Sequence, residues 1–270
     1  MEKYTIKTYD HIIYPNIPKI IWIYWNNNIP YLIDKCIKNV YKYNKTWKIF
    51  LLNDSNLHKY INIDIINNTN FDSVQRKSDL IRLIILYNFG GIWLDASILI
   101  TKSLNWIINI NKKTKKNIIV YYLEGFTTNK KFPVIENWFI ACNKNNKFIK
   151  LWLDDFILFL KINYDEYMKT LYNINLQDIN DTKYLMMHVI AQKLIQQNPI
   201  LMDDIYFLES YKDPYYFHIM YNWNIKKIIE HIFYKNYDKK YIPKLIKLRN
   251  CERKEININK INKKSLFNKN

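Results

Sequence analysis

Residues 71–101 read FDSVQRKSDLIRLIILYNFGGIWLDASILIT, and a helix, its stop and a strand follow one another within that run. Asp72 with Gln75 three residues on has the spacing of a capping box, and Leu80, Ile81, Ile84, Ile85 and Tyr87 supply a buried stripe, so a helix is expected from Asp72 to about Asn88. Gly90 and Gly91 end it. Residues 92–94 then make a short strand that stops at Asp95, and residues 98–101 continue in extended form. The chain has only three glycines, where about 19 is ordinary for its length. An adjacent pair in so glycine-poor a chain marks a backbone that needs positive φ or a close approach, and a helix C-cap followed by a tight turn fits the same pattern.

Working outward, residues 18–25 (PKIIWIYW) are an apolar run opened by proline and too short for a typical helix, which makes them a buried strand. Residues 30–43 place Leu32, Ile33, Cys36, Ile37, Val40 and Tyr41 on one helical face, with proline tolerated at the start. Residues 47–52 (WKIFLL) give a second strand, and Asn53, Asp54 and Ser55 supply turn and cap residues for a short helix carrying Leu57 and Tyr60. Downstream, strands are expected at 118–123 and 138–141 and helices at 148–161, 183–197 and 224–234, with no internal repeat. Strand and helix alternate, which is the mark of an α/β protein with a Rossmann-like sheet flanked by helices. Ligands of such sheets bind beyond the carboxyl ends of the strands, where Asp95 falls.

The 270 residues, 49% hydrophobic and 24% charged, suit one main domain. Heavy use of Asn, Ile, Lys and Tyr points to an A/T-rich genome, as in large DNA viruses or intracellular bacteria. No apolar run reaches membrane-spanning length, and residues 1–10 are polar, so neither a leader nor a transmembrane segment is expected. Cys36, Cys142 and Cys251 lie far apart without CxxC spacing, which with the missing leader suggests reduced thiols and a cytoplasmic location. The net charge of +17 favours anionic partners: nucleic acid, an anionic membrane surface or a nucleotide diphosphate. Residues 244–270 hold nine basic residues against Glu252 and Glu255. A domain over 1–250 with a solvated basic tail over 251–270, able to touch a membrane peripherally, is the resulting expectation. The charge and the 16% aromatic content also fit a basic nucleic-acid-binding protein. Against that, the aromatics fall mostly inside expected strands and helices, and no zinc-finger or RNP pattern occurs.

Arg76, Asp79 and Arg82 recur every three residues, placing them on one helical side next to the glycine turn. A carboxylate there can accept hydrogen bonds from sugar hydroxyls while guanidinium groups hold diphosphate oxygens; a surface ion-pair ladder has the same spacing. Asp95, alone at a strand end, can hold a hard divalent cation or serve as a turn residue.

Taken in order, IPKIIWIYW, QRKSDLIR and LYNFGGIWLDAS resemble the capsular polysaccharide synthesis type of glycosyltransferase. That type is related to the DXD-motif sugar transferases, which include Och1-like yeast mannosyltransferases and the clostridial glucosylating toxins. The resemblance is strongest over residues 18–101, returns at PVIENWFIA (133–141) and YLMMH (184–188), and fades toward the C-terminus. It implies a GT-A type fold with a mixed central sheet, a nucleotide-sugar donor with UDP favoured, and Mn²⁺ or Mg²⁺. It further implies retaining transfer of a hexose or hexosamine to a glycan or protein acceptor. Carried over by residue, Trp25 matches a tryptophan that stacks on the nucleotide base. Asp79 and Arg82 match the pair that contacts the donor sugar, with Arg76 one turn earlier. Asp95 matches the first DXD aspartate, and Ser97 stands in the second ligand position. Asn137 matches an asparagine near the donor sugar or acceptor, with Glu136 beside it, and His188 is a candidate acceptor-side or phosphate-side group. Lys244 corresponds to a basic residue able to reach the diphosphate, where Pro243 replaces a family histidine and cannot bind metal. Ser97 removes one anionic ligand, so weaker metal binding, or a catalytically inactive sugar-nucleotide binder, also fits the pattern.

Overall fold

A computed structural model describes residues 16–237 and 241–269; the polar run at 1–10, read as carrying no leader, lies outside them. The strands are β1 (Ile20–Tyr24), β2 (Lys48–Leu52), β3 (Gly91–Leu94), β4 (Ile98–Ile100), β5 (Ile118–Tyr122), β6 (Ile135–Cys142), β7 (Ile205–Glu209) and β8 (Leu245–Lys247). The α-helices are α1 (Tyr31–Tyr43), α2 (Ile63–Asn67), α3 (Val74–Phe89), α4 (Asn105–Thr114), α5 (Lys147–Lys161), α6 (Tyr164–Lys169), α7 (Met186–Gln197), α8 (Tyr216–Met220), α9 (Ile225–Ile229), α10 (Asn250–Glu255) and α11 (Leu266–Lys269). Six strands form one sheet in the order β2-β1-β3-β6-β5-β7. β1 runs parallel to β2 and β3, β7 runs parallel to β5, and β6 is antiparallel to both its neighbours. The protein is therefore α/β, as the alternation of elements implies, and its sheet is mixed, as the family resemblance implies.

Side-chain alternation divides the core. Trp22, Tyr24 and Trp93 enter the apolar layer shared with α3, α5 and α7, whereas Ile21, Ile23, Ile92 and Leu94 enter the layer shared with α1 and α4. Trp22 pairs in register with Trp93, so Trp25 and Asp95 leave the sheet at one edge. The glycine pair makes this edge possible. Gly90 has φ +64° and Gly91 φ +97°; a Cβ would stand 2.6 Å from the Lys144 nitrogen at the first and 2.7 Å from the Ile20 oxygen at the second. Both the conformation and the space exclude a side chain.

Three details differ from the sequence expectations. The cap of α3 is Ser73, whose Oγ accepts from the Arg76 nitrogen at 3.2 Å, while Asp72 reaches Arg76 Nε at 3.5 Å. β7, β8 and α4 were not anticipated: β8 has three residues and is recognisable only through its antiparallel partner β4, with Ile98 opposite Lys247. Residues 251–269 do not form a solvated tail. Leu266 and Phe267 are buried, Phe267 against Phe233 with ring centroids 4.7 Å apart, in a cluster that also takes in Leu32 and Cys36 of α1. The driving force is apolar area, about 1.5–3 kcal/mol for each large side chain removed from water. It outweighs the solvation of the interspersed lysines, which stay at the surface.

Candidate active site

A cavity of about 970 Å³ opens beyond the sheet edge where β1 and β3 end and β6 begins. That volume lies within the range of small-molecule sites. Trp25, Asp95, Ala96 and Ser97 reach it from β1 and β3; Glu136 and Asn137 reach it from β6; Asp79 and Arg82 reach it from α3; His188 reaches it from α7.

The centre is a chain of charges, Asp79 and Arg82 buried and Asp95 partly exposed. Arg82 Nη1 donates to Asp79 Oδ1 at 2.7 Å and Arg82 Nη2 to Asp95 Oδ1 at 3.1 Å, so one guanidinium ties the two carboxylates together. Its plane is held over the Trp93 ring at 5.0 Å. Asn137 Nδ2 donates to the same Asp79 oxygen at 3.2 Å. Asp95 Oδ1 also accepts from Trp93 Nε1 at 3.1 Å, and its Oδ2 accepts from Lys247 Nζ at 2.8 Å. Burial pushes the Asp79 carboxyl above the usual carboxylate range, with Arg82 and Arg76 opposing it. For Asp95 burial acts in the same direction but is outweighed by Lys247 and Arg82 and by the bonds from Lys247 and Trp93, which hold it below that range.

Also lining the cavity, His188 Nε2 lies 3.3 Å from Glu136 Oε2, both side chains being buried. The remaining wall comes from the C-terminal segment and contributes Lys247, Arg249 and Arg253. Lys247 sits over the Trp138 ring at 5.3 Å and Arg249 over Trp223 at 4.8 Å. Arg249 is fixed by Glu252, which accepts from its backbone nitrogen at 2.7 Å and from its Nε at 2.8 Å. Although burial opposes ionisation of Glu252, hydrogen bonds from His218 and Arg249 and the Arg249 charge bring its pKa down to about 2.

The cavity thus gathers Trp25, Asp79, Arg82, Asp95, Ser97 and Asn137. Arg76 and Lys244 are elsewhere. Arg76 donates to the Lys183 carbonyl at 2.6 Å and lies over Phe159 at 4.8 Å. Six residues along an α-helix turn the side chain about 120° away from Arg82, so the three-residue spacing does not keep all three on one face. Lys244 is over Trp106 at 5.0 Å and 3.5 Å from Asp213. It precedes Lys247 by three positions, an odd offset that sends strand side chains to opposite faces. Lys247, Arg249, Arg253 and Trp223 are cavity residues that sequence reasoning did not single out, and only the pairing of β8 with β4 brings the first three there.

The residues around Asp95 do not fit a resident divalent cation. No group of three or more His, Cys, Asp or Glu side chains suited to a metal occurs among the described residues. Asp95 has both oxygens engaged by cationic or N–H donors, and the second ligand position carries the neutral Ser97. Among the described residues, no helix is long and apolar enough to cross a membrane.

An α/β sheet with a large cavity at its carboxyl edge, lined by apolar surface and a cluster of charged side chains, defines a small-molecule-binding protein of Rossmann-like design. The chain belongs to the capsular polysaccharide synthesis protein family, whose model it matches over residues 1–269. This is the family that the motifs of residues 18–101 resemble. A fungal relative, the O-glycosyltransferase braB of Annulohypoxylon truncatum, is 30% identical over 156 residues, which cover 51% of this chain. Those residues span 37% of the relative's length. Solved structures resemble the chain more loosely. The PaToxG glycosyltransferase is 19% identical with a TM-score of 0.44, covering 68% of this chain and 70% of that one. The galactosyltransferase LgtC, solved with donor and acceptor sugar analogues, is 12% identical with a TM-score of 0.41, covering 74% and 78%.

Proposed function

We propose that this protein is a GT-A type glycosyltransferase that moves a hexose or hexosamine from a nucleotide-diphosphate sugar, UDP-linked by preference, to a glycan or protein acceptor. The observation that carries the proposal is the Asp79 carboxylate held between Arg82 and Asn137 inside a cavity large enough for a sugar nucleotide. Membership of the family and likeness to a fungal O-glycosyltransferase support the same reading. The C-terminal segment is part of the proposed domain, since its arginines complete one wall.

In the proposed mechanism Trp25 stacks on the nucleotide base and Asp79 accepts hydrogen bonds from donor-sugar hydroxyls. Arg82 fixes Asp79 and Asp95 at once, so the carboxylates do not reorganise during transfer. Asn137 orients the reacting side of the sugar. The acceptor hydroxyl attacks the anomeric carbon from the face that the diphosphate leaves; the bond from that carbon to the phosphate oxygen breaks, and the hydroxyl proton passes to the departing phosphate. Configuration is retained and no protein nucleophile is used. The Mn²⁺ or Mg²⁺ that the resemblance implies has no step here, because the donor set at Asp95 does not fit it.

A thermal-shift screen against UDP-, GDP- and CMP-sugars tests the proposal, since a ligand that binds only the native state raises its stability. One donor class is expected to raise Tm, and Asp79→Asn to remove the increment contributed by the sugar beyond that of the free nucleotide. The absence of any shift, together with strongly salt-dependent nucleic-acid binding, would favour the basic nucleic-acid-binding reading instead.

A further inference from the structure

We propose that Lys247, assisted by Arg249 and Arg253, takes the charge of the donor diphosphate in place of a divalent cation at Asp95. The inference rests on the glycosyltransferase reading of the cavity and adds to it the way this site neutralises its ligand.

Asp95 is the carboxylate at the end of β3, and both of its oxygens are already engaged by donors, Oδ2 by an ammonium group. Oδ1 accepts from Arg82 at 3.1 Å and from Trp93 at 3.1 Å, and Oδ2 accepts from Lys247 at 2.8 Å. A hard cation binds a carboxylate oxygen at about 2.0–2.6 Å, nearly where the ammonium sits. A doubly charged ion and an ammonium on one oxygen repel strongly in a partly buried site, so the two are alternatives. Ser97 makes the choice unequal, because a second carboxylate, which would favour the metal, is absent.

The lysine is built into its place. Lys247 is at the end of β8 opposite Ile98, its side chain is only 12% exposed, and it lies over the Trp138 ring at 5.3 Å. Two more cations line the same cavity from the segment that follows. Arg249 is clamped by buried Glu252 and by Trp223, and Arg253 Nη1 donates to the Leu248 carbonyl at 2.5 Å. Guanidinium groups held in this way keep their remaining N–H donors oriented, so they can meet phosphate oxygens without further ordering. Three cations against a diphosphate provide the charge that a metal supplies in other sites.

Calorimetric titration of the full chain with UDP and with GDP, in EDTA and in Mn²⁺, decides the matter. One of the two nucleotides is expected to bind in EDTA, with Mn²⁺ changing Kd by less than about threefold. Lys247→Ala should weaken binding in EDTA by about tenfold or more, and Mn²⁺ should restore part of it by taking the vacated place at Asp95. Lys247→Arg, which keeps the charge and guards against a folding defect, should bind in EDTA. Binding by the unaltered protein that appears only with Mn²⁺, or that Lys247→Ala leaves unchanged in EDTA, would overturn the proposal while leaving the glycosyltransferase reading intact. If neither nucleotide binds under either condition, the proposal and that reading both fail.

Discussion

The cavity has two charged walls, and they are charged for different purposes. On the α3 side Arg82 is shared by two aspartates, Asp79 and Asp95, and Lys247 reaches across to Asp95, so the charges balance and the wall offers acceptors to hydroxyl groups. On the C-terminal side Arg249 and Arg253 face a single Glu252, so the wall is cationic. A balanced wall suits a sugar and a cationic one suits phosphates, which are the two halves of a sugar nucleotide. The walls also differ in how they are supported. α3 spans 16 residues with its apolar face packed against α5 and the sheet, whereas the C-terminal wall depends on a three-residue strand, one buried glutamate and the packing of Leu266 and Phe267.

The largest effect should come from undermining the weaker support. Phe267→Ala is expected to cost about 3–5 kcal/mol in urea unfolding, because it opens a cavity beside Phe233. A solvated tail would lose nothing, and that result would dissolve the C-terminal wall as described. Next in size is Asp79→Asn, which keeps the shape but removes the charge paired with Arg82. Turnover of the donor should fall about 10²-fold or more in a nucleotide-release assay while Tm shifts little by comparison. Equal losses in the two measurements would make Asp79 a structural residue.

A pH titration separates the walls further. The Glu252 pKa is about 2 in the folded protein, below its unfolded value near 4.3, so its ionised form stabilises the fold at neutral pH. That contribution is fully present above about pH 4.5 and is lost as pH falls toward 2. Chemical denaturation at stepped pH should show this acid limb, and Glu252→Gln should flatten it. Asp79 has the opposite sign, because its folded pKa is raised and its ionised form costs stability. The stabilisation gained from protonating it is present below its unfolded pKa and disappears as pH rises through the folded one, so Asp79→Asn should gain relative stability toward neutral pH. The smallest effect is expected from Trp25→Ala: part of its ring is exposed at the cavity mouth, and nucleotide Kd should rise about tenfold through lost stacking. An unchanged Kd would remove the base from that position.

How far each wall was legible follows from its architecture. α3 and β3 carry their signals locally, in the apolar stripe from Leu80 to Ile85, the glycine pair and the short strand before Asp95, so the order of these elements, the α/β class and the nearness of Asp79 to Arg82 could be read from spacing, whereas the mixed sheet and the grouping of Asp95 with that pair rested on the family resemblance. Local spacing was less reliable for orientation, as Arg76 shows by turning onto Phe159. The C-terminal wall is held by contacts between residues far apart in sequence. β8 has no recognisable period in three residues, and it gains its identity from β4 about 150 positions earlier. Arg249 and Arg253 stand in a Lys- and Asn-rich run that looks solvated. The usable signal was the adjacent apolar pair Leu266 and Phe267, whose burial anchors that run to α1.

The most direct test of the central claim is to incubate the purified chain with UDP-glucose, UDP-galactose and UDP-N-acetylglucosamine and to follow release of UDP and free sugar. Slow hydrolysis of one donor, abolished in Asp79→Asn, is the expected result; no cleavage of any donor, or cleavage that Asp79→Asn leaves unchanged, would contradict it.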